Sequence, residues 1–232
     1  MTYSAEQRAL YEFSGHVNMI PEKFTFKIID QILKKKPRST EKTQVSCCLI
    51  TEHQYFLTHL IGIEQTTTQA STYEDLQLQA RLDFDGRHPC LTDYFTENKY
   101  SIKSNSYKLP SLTLFLSSHF NHVGIYHSFD QFCNELVSVY IKVILGFYRA
   151  GCRKLYLEEL LLSQIAEHLN ILDYEWDEKI ERLCHTALNT LRQVLQHKPQ
   201  DLEITLRLSA SHPLILSEIQ KISHLTDYIV QK

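Results

Sequence analysis

The chain has 232 residues, enough to bury a substantial core in one domain. Its 43% hydrophobic and 22% charged content is that of an ordinary globular protein, and a net charge of −3 argues against nucleic acid or an anionic membrane as partner. No apolar run reaches the roughly 20 residues of a membrane span, and the first eight residues hold no secretory apolar core, so a cytoplasmic location is expected.

In chain order, Lys34-Lys35-Lys36-Pro37-Arg38 opens a charged connector, and Gln44–Thr51 is β-prone. Leu76–Phe84 alternates with period two, as a half-exposed strand should, and Asp85-Gly86 marks a turn after it. Soft polar stretches at Thr96–Lys99 and Ser104–Ser106 precede Pro110 and an expected apolar strand, Leu112–Leu116. Ser128 and Gln131 stand at capping-box spacing, and Phe129, Phe132, Leu136, Val139, Val143 and Phe147 follow at helical intervals. Gly151 is placed to end that helix with a positive φ. Leu155, Tyr156 and Leu157 then read as a strand buried on both faces, followed by the acids Glu158 and Glu159. Helices are expected over Leu160–Leu169 and Asp177–His197, an alternating strand over Glu203–Leu208, and a last helix from Pro213 to about Ile229. Helices alternating with single short strands predict βαβ units and a mainly parallel sheet.

Chemistry-bearing groups are few. With 6 glycines there is no GxGxxG or Walker-type phosphate loop. The cysteines Cys47, Cys48, Cys90, Cys133, Cys152 and Cys184 are scattered and read as reduced, buried thiols. Adjacent Cys47 and Cys48 would point to opposite faces of a strand, which disfavours a redox pair. His119, His122 and His127, with Cys133 nearby, form a candidate zinc site whose spacing matches no standard finger; the alternative is a set of loop histidines. Arg207 is a candidate for binding a carboxylate or phosphate, the alternative being a pair with Glu203 on its own strand. Glu158 and Glu159 fall at the C-terminal end of a strand, the edge where α/β folds place chemistry; acids favoured by a helix N-terminus are the competing explanation.

Ala150–Glu159 resembles the "AGCRYLQLDD" strand of the cobalamin-independent methionine synthase family. Leu183–Leu191 and Lys198–Leu208 resemble the helix and strand that lead in that family to a zinc-binding His-x-Cys. Arg81–Cys90 and Lys108–His119 are similar to its central hairpin and "KVTIPSPS" strand. Gly15-His16-Val17 with Pro21-Glu22-Lys23 resembles the "DHVGS…RPEK" opening, and Thr51-Glu52 with Gly62-Ile63-Glu64 resembles "TDGE…GIE". The resemblance implies a TIM-type (β/α) barrel and, in intact members, methyl transfer from a methyl-folate to homocysteine held through its thiol on zinc. It also implies small-molecule binding by Glu158 and by Glu52 as a second carboxylate, with Arg207, read from its barrel-facing position, as the third candidate.

The same comparison predicts lost catalysis. Zinc needs His, Cys or carboxylate ligands in a fixed set, and lowers the pKa of the thiol it holds. The positions matching His-x-Cys are Thr205 and Arg207, and no cysteine follows Cys184. Glu158 in place of Asp moves a carboxylate by about 1 Å, enough to degrade a tuned site. A full barrel takes about 250 residues. With five or six plausible barrel strands, an incomplete or modified barrel is expected, single-domain over residues 1–232, with a β-hairpin insertion at about 70–110. The leading expectation is a zinc-less relative that keeps a small-molecule ligand. The alternatives are an active methyltransferase with other zinc ligands, and an interaction module whose open barrel is closed by a second copy or a partner chain.

Overall fold

The computed structural model describes residues 51–66, 75–100, 106–117, 120–171 and 178–230. The expected strand at 44–51 lies outside them except for Thr51, which opens helix α1 (Thr51–Thr58). Cys47, Cys48, the charged connector and the Gly15–Lys23 motif also lie outside the described residues.

β1 (Ile61–Gln65) pairs antiparallel with β2 (Leu76–Asp83). The hairpin therefore runs over Ile61–Asp83, earlier in the chain than the expected 70–110 insertion. Gly62 is required in it: φ is +94°, and a Cβ there would lie 2.7 Å from the carbonyl oxygens of Ala80 and Arg81. The pairing register shifts between Ile61 and Ile63, around the same glycine.

α2 (Pro89–Tyr100) runs through Thr96–Lys99, so that stretch is helical rather than a connector. β3 (Ser106–Pro110) follows, starting at the end of the soft Ser104–Ser106 stretch and covering the start of the Lys108–His119 segment that resembles a family strand. Exposed Lys108 hides the strand from a hydrophobicity pattern, yet Tyr107 and Leu109 pair in register with Leu155 and Leu157. Leu112–Leu116 is a 3₁₀ turn, not a strand. Its five residues are all buried, and Leu114 and Ser117 donate their N–H groups three residues back, to Ser111 and Leu114. An alternating strand cannot bury every side chain beneath one cover.

α3 (Phe129–Arg149) begins as its sequence predicts, with the Ser128 hydroxyl accepting the Gln131 N–H at 3.1 Å. The return bond from the Gln131 side chain lands on the His127 N–H, one residue before the cap. The helix ends in a Schellman arrangement: Cys152 N–H bonds Phe147 O, Gly151 N–H bonds Tyr148 O, and Gly151 has φ +101°. β4 (Lys154–Glu158), α4 (Leu160–Ile171), α5 (Glu178–Leu195) and β5 (Glu203–Leu208) lie close to expectation. The last helix, α6 (Pro213–Gln220), stops nine residues before Ile229 and gives way to β6 (Asp227–Val230). Thr226 steers that change by donating its buried hydroxyl to Ile204 O at 2.7 Å.

The strands form a four-stranded parallel sheet in the order β3-β4-β5-β6, so the fold is mixed α/β with a parallel sheet and a separate hairpin. Leu155, Leu157, Ile204, Leu206 and Leu208 are buried on one face, while Tyr156, Glu158, Thr205 and Arg207 on the other are partly exposed. β4 is thus fully buried on one face and only partly on the other, short of the two-sided burial its unbroken apolar run predicts. Tyr140 pins α3 to the sheet, its buried hydroxyl donating to Pro110 O at 2.9 Å. No described helix is long and apolar enough to cross a membrane.

Candidate functional site

The C-terminal edge of the sheet gathers the groups of interest. In the register, Pro110, Glu158, Arg207 and Ile229 form one row, and Lys108, Tyr156, Thr205 and Asp227 form the row two residues back, the next on the same face. Backbone bonds extend the ladder past the strands: Ser111 N–H to Glu158 O at 2.9 Å, and Glu159 N–H to Arg207 O at 2.8 Å.

Arg207 Nη1 lies 2.8 Å from Glu158 Oε1, with side-chain exposures of 20% and 14%. Arg207 therefore does not pair with Glu203. That residue is four positions back along the strand, roughly 13 Å away, whereas an in-register neighbour is about 4.8 Å away. Glu203 instead meets Lys154 at 2.8 Å, also its register partner. The Arg207 guanidinium also stands 5.6 Å from the centre of the Tyr156 ring, a cation–π distance. Tyr156 was not singled out by the sequence, because it sits inside an apolar run and reads as core.

Glu159 points to the opposite face, as successive strand residues do. It is fully buried at the head of α4. Burial pushes its carboxyl up to about 7, offset in part by the Ser111 and Thr113 hydroxyls and the Leu162 N–H. Thr113 donates to Oε1, whereas Oε2 has no hydrogen-bond partner among the described residues. Ser111 and Thr113 were legible only as hydroxyls set into the leucine-rich stretch Leu109–Leu116.

Glu52 falls in the first turn of α1. Its neighbour His53 is buried, and burial together with the Lys108 charge lowers its imidazole to about 4. Of the histidine set, His119 lies outside the described residues. His122 is buried and stacked on Phe132, ring centres 5.1 Å apart and planes 9° apart. His127 is exposed, and Cys133 has its thiol pushed up to about 12 by burial. No group of three or more His, Cys, Asp or Glu side chains suited to a metal ion occurs among the described residues. Thr205 is a half-buried hydroxyl and Arg207 a permanent cation, so this pair does not fit a zinc ion. A cavity of about 490 Å³ lies elsewhere, on the hairpin, lined by Gln77, Gln79, Asn121, Val123 and neighbours.

No family model matches the chain. The uncharacterized protein YxjH of Bacillus subtilis (strain 168) is 26% identical over 171 residues, 67% of this chain and 44% of YxjH. A solved structure from Listeria monocytogenes, described as a vitamin-B12-independent methionine synthase, shares 26% identity over 68% of this chain and 46% of its own, with a TM-score of 0.53. A B12-independent methionine synthase from Shewanella sp. W3-18-1, solved with selenomethionine, shares 12% identity over 75% of this chain and 52% of its own, with a TM-score of 0.49. The chain spans a little under half the length of YxjH and of the Listeria protein. Over about two thirds of its length, the chain is similar in sequence and fold to a cobalamin-independent methionine synthase-like protein.

Proposed function

We propose that the chain is a divergent, TIM-barrel-derived relative of the cobalamin-independent methionine synthases that binds a small molecule at the Glu158–Arg207 edge without zinc-dependent methyl transfer. The observation that carries this reading is the ion pair itself. Where the family resemblance sets a zinc-binding cysteine, the chain has an arginine, and that arginine meets the acid expected to hold the substrate. A guanidinium beside a metal position repels the cation, whereas the same guanidinium and carboxylate can hold complementary charges on a ligand. The partly exposed polar face around the pair gives such a ligand access.

A second copy or another chain is the proposed cover for this face, since parallel sheets are ordinarily buried on both sides. The buried, unbridged thiols Cys90, Cys152 and Cys184 suit a reducing compartment such as the cytoplasm.

Metal analysis and calorimetry test the reading on the purified protein. The expected result is zinc well below one ion per chain, no methylation of homocysteine from a methyl-folate, and homocysteine or methionine binding that Glu158→Gln weakens by about tenfold, or roughly 1.4 kcal/mol. One zinc per chain, lost in His119→Ala or His122→Ala, would instead support an active methyltransferase with other ligands.

A further inference from the structure

Glu159 lies one residue past Glu158 but in a different environment, enclosed by the Leu112–Leu116 turn, the head of α4 and α5. The groups facing its carboxyl from the turn and from the residue before it are the Thr113 and Ser111 hydroxyls, and from α4 the Leu162 N–H. β5 contributes a backbone carbonyl, that of Arg207, which accepts the Glu159 N–H. From α5 comes the Cys184 thiol, which burial and the charges of Glu218, Glu159 and Glu181 push up to about 12. None of these groups is a cation. An ionised carboxylate here would leave a desolvated oxygen, Oε2, with neither hydrogen bond nor counter-charge among the described residues. A neutral acid avoids that cost.

We propose that Glu159 is a proton-operated latch: as a neutral acid it lets the Leu112–Leu116 turn close over the head of α4, and on releasing its proton to water it lifts that turn and loosens the edge carrying Glu158 and Arg207. The mechanical link is backbone. Ser111, which begins the turn, donates its N–H to Glu158 O at 2.9 Å, and Glu159 donates its own to Arg207 O at 2.8 Å. Ser163 ties the other side, giving its hydroxyl proton to Glu159 O at 2.6 Å and accepting the Ser209 N–H at 3.0 Å. Because burial brings the acid to about 7, the latch works across neutral pH rather than in strong acid.

Hydrogen exchange of the unliganded protein, corrected for intrinsic rates, tests the latch independently of any ligand. Between pH 6 and pH 8.5, protection of residues 109–117 should fall by about tenfold in the wild type. Glu159→Gln, which is permanently neutral, should stay protected at both values. Equal wild-type protection at the two pH values, or the same fall in the glutamine variant, overturns the proposal. If Glu159→Gln does not fold, the carboxyl infrared band of the wild type decides. A protonated-acid band present at pH 6 and gone by pH 8.5 upholds the latch, and absence of that band at pH 6 sinks it.

Discussion

Arg207 and Glu158, 49 residues apart in the chain, meet at 2.8 Å because parallel pairing of β4 and β5 sets them in the same row at the end of the sheet. The pair is too enclosed to count as a surface salt bridge of negligible worth. Removing one member takes the opposite charge away from the other in a partly dry place. Glu158→Gln or Arg207→Met alone should cost about 1–3 kcal/mol in urea unfolding. The double variant should recover part of that loss, and strict additivity of the two single costs would show that the contact contributes nothing.

Two glycines with positive φ should respond unequally to alanine. Gly151 closes the α3 C-terminus with open space around it, so Gly151→Ala meets only the backbone cost, about 1–2 kcal/mol. Gly62→Ala adds a collision with two carbonyl oxygens at 2.7 Å. The Gly62 variant should therefore be the less stable of the two by thermal denaturation, with the hairpin displaced.

Stability should depend on pH in two opposing ways. Glu159 is raised from 4.5 to about 7, so the native protein keeps a proton that the unfolded chain releases, and this contribution is lost as pH rises through that window. His53 is lowered from 6.5 to about 4, so the unfolded chain takes up a proton that the native one refuses, and stability falls as pH drops from 6.5 to 4. The stability of wild type relative to Glu159→Gln should thus fall between pH 5 and pH 8, by order 1–3 kcal/mol. Relative to His53→Gln it should rise between pH 4 and pH 6.5. Chemical denaturation at fixed pH values separates the two, and a reversed sign in either series refutes the corresponding assignment.

The described cysteines should be chemically quiet. Burial pushes the thiols of Cys90 up to about 11 and of Cys133 and Cys184 up to about 12, and Cys152 is raised as well. The thiolate is the reactive form. Alkylation at pH 6.5, where Glu159 mostly keeps its proton, followed by peptide mass spectrometry should label these four slowly in the native protein and fully in denaturant. Rapid native labelling at Cys184 would argue that α5 does not pack as described.

Much of the second half was legible from residues alone. The Ser128 cap, the stripe from Phe129 to Phe147, the Gly151 stop and the alternation from Glu203 to Leu208 are local signals, each written within one or two turns of chain. The amino-acid order likewise set the acids at the end of β4. Elements whose character depends on what lies beside them were not legible. Leu112–Leu116 has a strand's composition but crosses the end of the sheet as a 3₁₀ turn, and β3 and β6 acquire their strand geometry by pairing with β4 and β5.

The site divides the same way. The sequence by itself determined which groups exist: two adjacent carboxylates, and an arginine where the family resemblance calls for a metal ligand. Only the tertiary structure decided that Glu158 would meet Arg207 while Glu159, one residue on, would be buried and driven toward its neutral form. Successive residues of a strand face opposite sides, and here one side is half-open and polar and the other closed by helices. Burial acts on a carboxyl through what surrounds it in space, and that surrounding is assembled from Ser111 and the turn after it, α4, α5 and β5, segments far apart in the chain.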